Sequence, residues 1–531
     1  MVSTLAGPLL PASEPEPLRY SLMNMVRRNY IANPDRRMLV GVRSSVTYAD
    51  AYHGIGTLAW YMNVTCGIGV DSIVAISSTN DLEVPLIMAA VQMRGAMLLM
   101  LPATPSEADL ERIFAMAKPS LVIMSSAEDC AMAARAVPGA RIMSLHCRVE
   151  GVSEVTEILD SFSYNSAKEQ PDYSDQARIV VFSSGSTGLP KAIVNRMSSF
   201  GRNGEALKAA FSMTSRDVLF VPVPLSHVFG IVGVFCTLAS DASLVTCEKY
   251  TPEAALSLIA NTQATIHFGV STMFVRELRV NRAQRWDLSC LRAALVAGAP
   301  CPASVIVEFE ERYGCTIMQS YGMSETSATL TVTSLDLPLE ERASCVGVPV
   351  AGAAVKILPD TGEILCKSPS MMLGVLQPDG SLKLDLDDEG WLHTGDVGYV
   401  DDAGQLVVSG RIKDMIIRGG INIFPAEVER VYQENAEVSE SCMVGYPDPE
   451  LGERTCLCVI MAPDAQSSSR DLRDFSKGLV EKCKIPDVVL KMDSFPRLAS
   501  GKIDKKQLKS HVKQMFADFG GARRNSQGGI S

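Results

Sequence analysis

The chain has 531 residues, of which 47% are hydrophobic and 21% are charged, a composition typical of folded globular proteins. It excludes disordered, collagen-like and coiled-coil chains. The 49 lysines and arginines stand against 60 aspartates and glutamates, which gives a formal net charge of −11. Without an overall basic field the chain is not suited to bind nucleic acid or an anionic membrane surface, so anionic ligands require local pockets.

The cysteines and the apolar segments indicate a cytoplasmic protein without a membrane span. The 14 cysteines are scattered and lack zinc-ligand spacing, so we expect buried thiols. Residues 1–18 resemble neither a secretory signal nor an Arg-rich transit peptide. The most apolar region, residues 84–102, is interrupted by Gln92, Arg94 and Gly95, which leaves too few uncharged residues in a row to cross a bilayer.

Short runs of valine, isoleucine and leucine alternate with amphipathic stretches between about residues 20 and 408. This pattern is typical of buried parallel strands connected by helices. The predicted strands include residues 72–77, 120–124, 179–182, 218–223 and 291–296. The fold class is therefore α/β, with a large N-terminal domain built in several layers.

The composition of the sequence changes after Gly410. Charged residues and glycines are concentrated there, before a helical pattern begins at Pro425. Such a passage suits a linker or hinge between a large and a small domain. The predicted division is an N-terminal tail (1–18), a large domain (19–410), a hinge (411–414), a small mobile domain (415–519) and a C-terminal tail (520–531). Both tails are expected to be disordered.

A phosphate-binding loop is predicted directly after the strand at 179–182. The segment reads Ser183-Ser-Gly-Ser-Thr-Gly-Leu-Pro-Lys191. Its hydroxyls can donate hydrogen bonds, its glycines let the backbone approach a ligand, and its lysine adds a positive charge. A Walker A loop is excluded, because only two residues separate Gly185 from Gly188. The simpler alternative is a polar turn.

The loop resembles the nucleotide signature of the adenylate-forming enzymes, a family that includes acyl-CoA and aryl-CoA ligases, stand-alone amide synthetases, nonribosomal-peptide adenylation domains and firefly luciferase. Further segments resemble the family's other motifs in the same order: Gln319-Ser-Tyr-Gly-Met-Ser-Glu325, Leu392-His-Thr-Gly-Asp396, residues 410–425 and Pro496-Arg-Leu-Ala-Ser-Gly-Lys502. Ala192 stands where the family usually has glycine, and Ser324 where threonine is common. The resemblance implies an AMP-binding N-terminal domain and a small mobile α+β C-terminal domain.

The resemblance also implies a role for each motif residue. The residues expected to bind ATP or AMP are Ser183, Ser184, Gly185, Ser186, Thr187, Gly188, Lys191, Tyr321, Gly322, Ser324, Asp396 and Arg411. Glu325 would bind magnesium (Mg2+), and Lys502 would reach the carboxylate and the α-phosphate from the small domain. Lys413 would be the hinge residue. Gly419 and Gly420 would border an acceptor channel, unless they only form a turn.

The acyl site is expected to be apolar and to suit an aryl or medium-sized acyl group. Its predicted lining is Phe229, Gly269, Val270, Gly298, Ala299, Ser320 and Met323. His227 would border this site and gate the acceptor tunnel, or simply pack in the core. His267 would touch the polar end of the acid or belong to the core. No aspartate lies near Phe229 to hold an ammonium group, which disfavours an α-amino acid substrate.

The implied reaction consumes ATP with Mg2+, joins a carboxylic acid to AMP, releases pyrophosphate and passes the acyl group to CoA. An amine acceptor, giving an amide, and a carrier protein remain alternatives. A different class is an inactive nucleotide-binding scaffold, although each position that the chemistry needs keeps a functional residue. Lys505, Lys506, Lys509 and Lys513 have helical spacing and are interpreted as a solvated face, with a contact of one of them to a phosphate of CoA as the alternative.

Overall fold

The structure is a computed structural model that describes residues 3–8, 19–161, 171–183, 191–283, 285–463, 465–497 and 503–522. Two parts of the predicted site fall outside these described residues. They are Ser184, Gly185, Ser186, Thr187 and Gly188 of the phosphate loop, and Lys502.

The described residues form helices and strands in alternation. The helices are α1 (Leu22–Ala32), α2 (Tyr48–Val64), α3 (Glu83–Met93), α4 (Glu107–Ala117), α5 (Ala127–Ala136), α6 (Val155–Ser161), α7 (Met197–Ala210), α8 (Val228–Ala239), α9 (Pro252–Thr262), α10 (Ser271–Val280), α11 (Ala303–Tyr313), α12 (Leu339–Ser344), α13 (Pro425–Gln433), α14 (Ser469–Phe475) and α15 (Lys505–Ala522). Short 3-10 helices cover Asn281–Ala283, Ser324–Thr326, Ile412–Asp414 and Lys482–Lys484.

The strands of the first half are β1 (Thr4–Ala6), β2 (Arg37–Val40), β3 (Ser45–Thr47), β4 (Ile73–Ile76), β5 (Met97–Met100), β6 (Leu121–Met124), β7 (Arg141–Ser144), β8 (Ser153–Glu154), β9 (Arg178–Ser183), β10 (Lys191–Arg196), β11 (Val218–Phe220), β12 (Ser243–Val245) and β13 (Ile266–Gly269). Those of the second half are β14 (Ala293–Ala297), β15 (Thr316–Tyr321), β16 (Thr331–Val332), β17 (Val348–Pro349), β18 (Ala354–Ile357), β19 (Glu363–Lys367), β20 (Gly374–Leu376), β21 (Leu382–Lys383), β22 (Leu392–Val400), β23 (Leu406–Arg411), β24 (Ile416–Arg418), β25 (Ile421–Ile423), β26 (Val438–Asp448), β27 (Gly452–Met461) and β28 (Val488–Lys491).

In the described part of the chain, these strands form four sheets. Two have nine strands each, in the orders β21-β20-β10-β9-β5-β4-β6-β7-β8 and β17-β16-β15-β14-β13-β11-β12-β2-β3. The centres of both are parallel, so the carboxyl ends of β13, β14 and β15 lie side by side. In open sheets of this kind, ligands bind at that edge. The main apolar core includes the buried side chains of α7 and α8.

The other two sheets meet near the predicted hinge. An antiparallel sheet has the order β1-β18-β19-β22-β23, and its last strand ends at Arg411. After the 3-10 turn at Ile412–Asp414, β24 starts the C-terminal sheet, in the order β25-β24-β27-β26 with β28 beside β27. Only a few residues therefore separate a strand of one sheet from a strand of the next, which fits a joint between two domains.

The α/β fold class is confirmed, and strands lie within or beside each of the five predicted apolar runs. The predicted tails need correction. Thr4–Ala6 pairs with Ala354–Lys356 as an edge strand, because its backbone groups satisfy those of β18. At the other end, α15 continues through Ala522 and so passes the predicted limit of the small domain at residue 519.

Two expectations about composition can be compared with the structure. All 14 cysteines are free thiols, and most of them are buried. Burial raises the pKa of the Cys247 thiol to about 11, so this group stays protonated near neutral pH. Among the described residues, no helix is both long enough and apolar enough to cross a membrane.

A histidine near the carboxyl edge of the first large sheet gives the fold a pH dependence. His146 Nε2 lies 3.0 Å from Asp81 Oδ1 and 3.7 Å from Glu83 Oε2, and Glu248 also acts on it. The hydrogen bond to Asp81 is the main cause that raises the pKa of His146 above its usual value. The pair therefore stabilises the fold below about pH 6.5, and the contribution is lost as pH rises through the folded pKa.

We expect His146→Gln to lower the free energy of unfolding more at pH 5.5 than at pH 9, because only the protonated imidazole attracts the carboxylates. Urea unfolding at both pH values measures this difference. His511→Gln, on the exposed side of α15, is the control and should show no such dependence. Equal destabilisation at the two pH values would contradict the assignment.

Candidate active site

One buried carboxylate is held from two sides. Asp396 is only 3% exposed, and its Oδ2 accepts a 2.7 Å hydrogen bond from the Tyr321 hydroxyl. Its Oδ1 lies 2.8 Å from Nε of Arg411, whose side chain is half-exposed. A buried carboxylate needs such partners, since an uncompensated charge is costly. Each oxygen still has a lone pair for a further donor, such as a ligand hydroxyl.

The local sequence explains why these three residues meet. Tyr321 is the last residue of β15, while Asp396 and Arg411 face each other across the β22–β23 pairing. Gly395, with a φ of +71°, makes a bend that few other residues adopt, and the Thr394 hydroxyl caps it by accepting from the Asp396 amide at 3.0 Å. Three strands thus fix the carboxylate.

The Tyr321 hydroxyl stays a hydrogen-bond donor. Burial, and then the neighbouring Asp396 carboxylate, hold the pKa of Tyr321 well above its usual range. The next residue, Gly322, has no room for a side chain, because a Cβ atom there would lie 1.9 Å from the Ala328 carbonyl oxygen. The Tyr321 ring packs partly against the main apolar core, and a flat ring of this kind can lie along a flat ligand group.

A cleft of about 350 Å³ reaches Thr394, two residues before Asp396 on the same strand. Its lining includes Lys191, Met323, Glu325, Lys383, His393 and Thr394. Lys191 opens β10 and is paired in register with Ser183, the last residue of β9, so the predicted phosphate loop connects these two antiparallel strands. The cleft therefore places a cation and a carboxylate next to the ends of that loop.

Glu325 is the residue that could hold a metal ion. Burial raises the pKa of its carboxyl group, and Lys191 and Arg411 partly oppose that effect. A divalent cation would offset the cost of keeping this carboxylate charged. The described residues contain no group of three or more possible ligands. Magnesium bound by one carboxylate, phosphate oxygens and water fits this donor set.

The predicted acyl residues gather at the carboxyl ends of three neighbouring strands. Gly269 is the last residue of β13 and Val270 follows it, Gly298 and Ala299 follow β14, and Ser320 lies in β15. A Cβ atom on Gly298 would lie 3.8 Å from Val270 Cγ1, so these two loops approach each other. Phe229 is buried nearby, and its ring stacks on Phe268 with centroids 5.4 Å apart.

The two histidines noted in the sequence have different surroundings. His227 is exposed and caps α8, where its Nδ1 accepts from the Phe229 amide at 3.3 Å. His267 is fully buried on the opposite face of β13 from Phe268, and its Nε2 lies 3.1 Å from Glu277 Oε2. His267 packs on the rings of Phe220 and Phe274, which favours a core position.

The predicted hinge residue and the predicted channel residues both lie in turns. Lys413 is exposed within the 3-10 turn at Ile412–Asp414. Gly419 and Gly420, with φ values of 57° and 82°, form the two-residue connection between β24 and β25. Positive φ at both positions is what a type I′ hairpin turn requires, so the turn alone accounts for both glycines. Their channel role stays a prediction.

The residues that flank the Lys502 segment are well anchored. Arg497 donates two hydrogen bonds to Glu440, at 2.8 and 2.6 Å, and pairs with Ile503 across the segment. Lys505 Nζ lies 3.3 Å from Glu429 Oε1 and 3.7 Å from Asp414 Oδ2. Lys505 is therefore an ion-paired residue and not part of the solvated face predicted for it.

Sequence reasoning missed several residues of this region. Lys383 was not singled out, although it lines the cleft from the edge strand β21. Asn195 and Asn203 are almost completely buried and bind the backbone around Glu325. A polar residue inside the apolar run of β10 was the available signal for Asn195, because buried carboxamides need hydrogen-bond partners.

Comparison with known proteins gives a consistent result. The sequence model described as AMP-binding enzyme matches residues 26–376, and that of the AMP-binding enzyme C-terminal domain matches residues 427–502. The medium-chain fatty-acid–CoA ligase of Escherichia coli (strain K12) is 32% identical over 352 residues, which are 64% of this chain and 62% of that enzyme. The match thus spans less than two thirds of the length of the first curated relatives.

Two solved structures are similar over nearly the whole chain. ATP-bound MatB from Rhodopseudomonas palustris has a TM-score of 0.82 and 25% identity, and the match covers 93% of this chain and 99% of MatB. The amide bond synthetase McbA from Marinactinospora thermotolerans has a TM-score of 0.81 and 26% identity, with 92% and 99% covered. Since the family model alone matches well over half of the sequence, this chain belongs to the AMP-binding enzymes, within the adenylate-forming superfamily.

Proposed function

We propose that this protein is a ligase that uses ATP and Mg2+ to activate a carboxylic acid as an acyl adenylate, with release of pyrophosphate. The observation that carries the proposal is the fixed Asp396 carboxylate, held by Tyr321 and Arg411, two residues along β22 from a cleft lined by Thr394, Lys191 and Glu325. These are the groups that a nucleoside triphosphate needs: acceptors for sugar hydroxyls, a flat ring for the base and a cation for phosphate.

In this proposal, each residue binds one part of the nucleotide. Asp396 accepts hydrogen bonds from the ribose hydroxyls, Arg411 supports the same sugar, and Tyr321 lies along the adenine. Lys191 and the loop of residues 183–188 bind the phosphates, and the Ser324 hydroxyl binds the α-phosphate. A magnesium ion on Glu325 would neutralise developing negative charge on the phosphates.

The chemical step brings two anions together. The carboxylate oxygen of the acid attacks the α-phosphorus, the bond to the bridging oxygen breaks, and pyrophosphate leaves with that electron pair. Unit charges about 4 Å apart repel by roughly 4 kcal/mol in a protein-like medium, so cations must be in place beforehand. Lys502, from the small domain, is proposed to approach both the acid and the α-phosphate, and rotation about Lys413 would withdraw it afterwards.

We propose CoA as the acceptor of the acyl group. Similarity to an enzyme named as a medium-chain fatty-acid–CoA ligase supports this choice. The similarity to an amide bond synthetase, at 26% identity over 92% of the chain, favours an amine as the second candidate. Carrier-protein loading is a third outcome. In the CoA reaction, Gly419 and Gly420 would border the path of the pantetheine arm.

The proposed acid is aryl or medium-sized and apolar. Phe229, Val270 and Met323 offer apolar contacts near the ends of β13, β14 and β15, where the backbone at Gly269 and Gly298 has no side chain. His227 at the start of α8 is proposed to border the route of the acceptor. An inactive nucleotide-binding scaffold is the competing class, and it predicts ATP binding without turnover.

The decisive experiment is exchange of labelled pyrophosphate into ATP with a panel of aryl and medium-chain acids. We expect magnesium-dependent exchange with at least one acid, because adenylate formation is reversible. Mass spectrometry with CoA, amines and a phosphopantetheinylated carrier then identifies the acceptor. If the protein binds ATP but exchanges no pyrophosphate with any acid, the ligase proposal is wrong and an inactive nucleotide-binding scaffold is favoured.

Lys502→Ala should reduce exchange by about 100-fold or more, the scale at which a group acts only in the transition state of one step. The second half-reaction, started from preformed adenylate, should change much less. Lys506→Ala, which removes an exposed cation from α15, is the control and should leave both steps intact. Equal losses in both steps would contradict a lysine that serves adenylation alone.

Asp396→Asn keeps the shape of the side chain and an acceptor for Tyr321, but removes the charge. We expect KM for ATP to rise about tenfold, since a hydrogen bond to a charged group contributes about 1.5–3 kcal/mol. Steady-state kinetics with ATP as the varied substrate tests this. Asp401→Asn, at the far end of the same β22–β23 hairpin, is the control. An unchanged KM for ATP would exclude Asp396 from ribose binding.

A further inference from the structure

The turn that carries Glu325 has a strained backbone. It begins with the 3-10 segment Ser324–Thr326 and continues through Ser327 and Ala328, whose φ values are 53° and 90°. Neither residue is a glycine, and both lie in the left-handed region that L-residues avoid. Such a conformation persists only where its surroundings over-determine it. Something outside the turn must therefore hold it.

Two buried asparagines bind this turn through its carbonyl groups. Asn195, in β10 and 0% exposed, donates from Nδ2 to the Ser324 carbonyl at 3.2 Å. Asn203, in α7 and 1% exposed, donates from Nδ2 to the carbonyls of Thr326, at 2.9 Å, and Ser327, at 2.6 Å. The Glu325 carbonyl accepts from the Met372 amide at 2.7 Å. Four consecutive carbonyls are thus fixed by other elements.

The orientation of the Asn195 amide is determined by its neighbours. The Ser327 hydroxyl lies 3.1 Å from Asn195 Oδ1 and 2.9 Å from the Ser370 carbonyl, and it shares its single hydrogen between them. If the amide were flipped, Asn195 Oδ1 would face the Ser324 carbonyl oxygen without a hydrogen between them. One carboxamide therefore both donates to the turn and accepts from it.

Asn195 also connects the turn to the phosphate side of the cleft. It lies four residues after Lys191 on the same strand, and Lys191 lines the cleft together with Glu325. A strand is a rigid spacer, so the bond from Asn195 to the turn sets the separation between the cation and the carboxylate. An apolar residue at this position would leave the Ser324 carbonyl with only the long 3.4 Å contact from the Ser327 amide.

We propose that Asn195, assisted by Asn203, is a positioning residue that holds the strained turn so that the Glu325 carboxylate is presented to a divalent cation on the nucleotide phosphates. This inference rests on the proposed function, because that function supplies the ligand. It assigns Asn195 no contact with substrate. Its effect passes through the backbone of residues 324–328.

The test compares Asn195→Leu with Asn281→Leu. Asn281 is also fully buried, and its carboxamide makes three hydrogen bonds, which join Trp286 and Tyr313, neither of which lines the cleft. Calorimetry measures ATP affinity with magnesium and with a chelator. Replacing a partner that orients a metal ligand weakens metal binding by about tenfold or more, so Asn195→Leu should lose most of the gain in ATP affinity that magnesium gives.

Hydrogen exchange supplies a readout that needs neither magnesium nor turnover. The amides of residues 324–328 should exchange faster in Asn195→Leu than in the wild type and stay protected in Asn281→Leu. If Asn195→Leu does not fold, Asn195→Ser replaces it, since the smaller polar side chain cannot reach the Ser324 carbonyl yet avoids burying a leucine.

The possible outcomes separate the inference from the proposed function. If the wild type binds ATP but exchanges no pyrophosphate, the proposed ligase function is contradicted. The calorimetric comparison of Asn195→Leu with the wild type can still be made, because it needs only ATP binding. Magnesium-dependent ATP affinity that is the same in Asn195→Leu and wild type overturns the inference, and so does an equal loss in Asn281→Leu. Unchanged amide protection at residues 324–328 overturns it as well.

Discussion

The site depends on the Asp396 carboxylate, which binds Tyr321 from another sheet and Arg411 from the neighbouring strand of its own sheet. Tyr321 reaches Asp396 from the second nine-stranded sheet, whereas Arg411 is the last residue of the smaller antiparallel sheet and directly precedes the 3-10 turn at Ile412–Asp414. A buried carboxylate requires compensation, so Arg411 cannot leave without cost. The proposed ribose contact therefore lies immediately next to the joint, and ligand binding and domain orientation share one group.

Local charge, and not the net charge of the chain, decides whether this site suits a nucleotide. The chain as a whole carries −11, which repels a triphosphate at long range but is screened within about 10 Å in ordinary buffers. Lys191, in the lining of the cleft, and Arg411 both favour the charged form of Glu325, whose carboxyl pKa is raised by burial. A divalent cation would complete the neutralisation there. This is why the acidic composition and a polyanionic ligand are compatible.

The sequence predicted what depends on neighbouring residues and missed what depends on distant ones. Buried parallel strands leave unbroken apolar runs, so the strands near Ile73–Ile76 and Leu121–Met124 were visible in advance. The edge strand Thr4–Ala6 was not, because its partner, β18, lies far along the chain. Motif resemblance indicated Tyr321 and Asp396, but not the Asn195 contacts, since only the folded chain brings β10 against the Glu325 turn.

Buried polar groups in this fold differ in what they hold, and that difference decides how each should be interpreted. His267 and Glu277 pair with each other inside an aromatic cluster on the far side of β13, so their bond stabilises the packing of α10. Asn195 and Asn203 instead bind main-chain carbonyls of a strained turn that faces the cleft. The first arrangement joins two buried side chains to each other. The second holds a backbone conformation that L-residues avoid, and in our proposal it thereby fixes the Glu325 carboxylate before any ligand arrives.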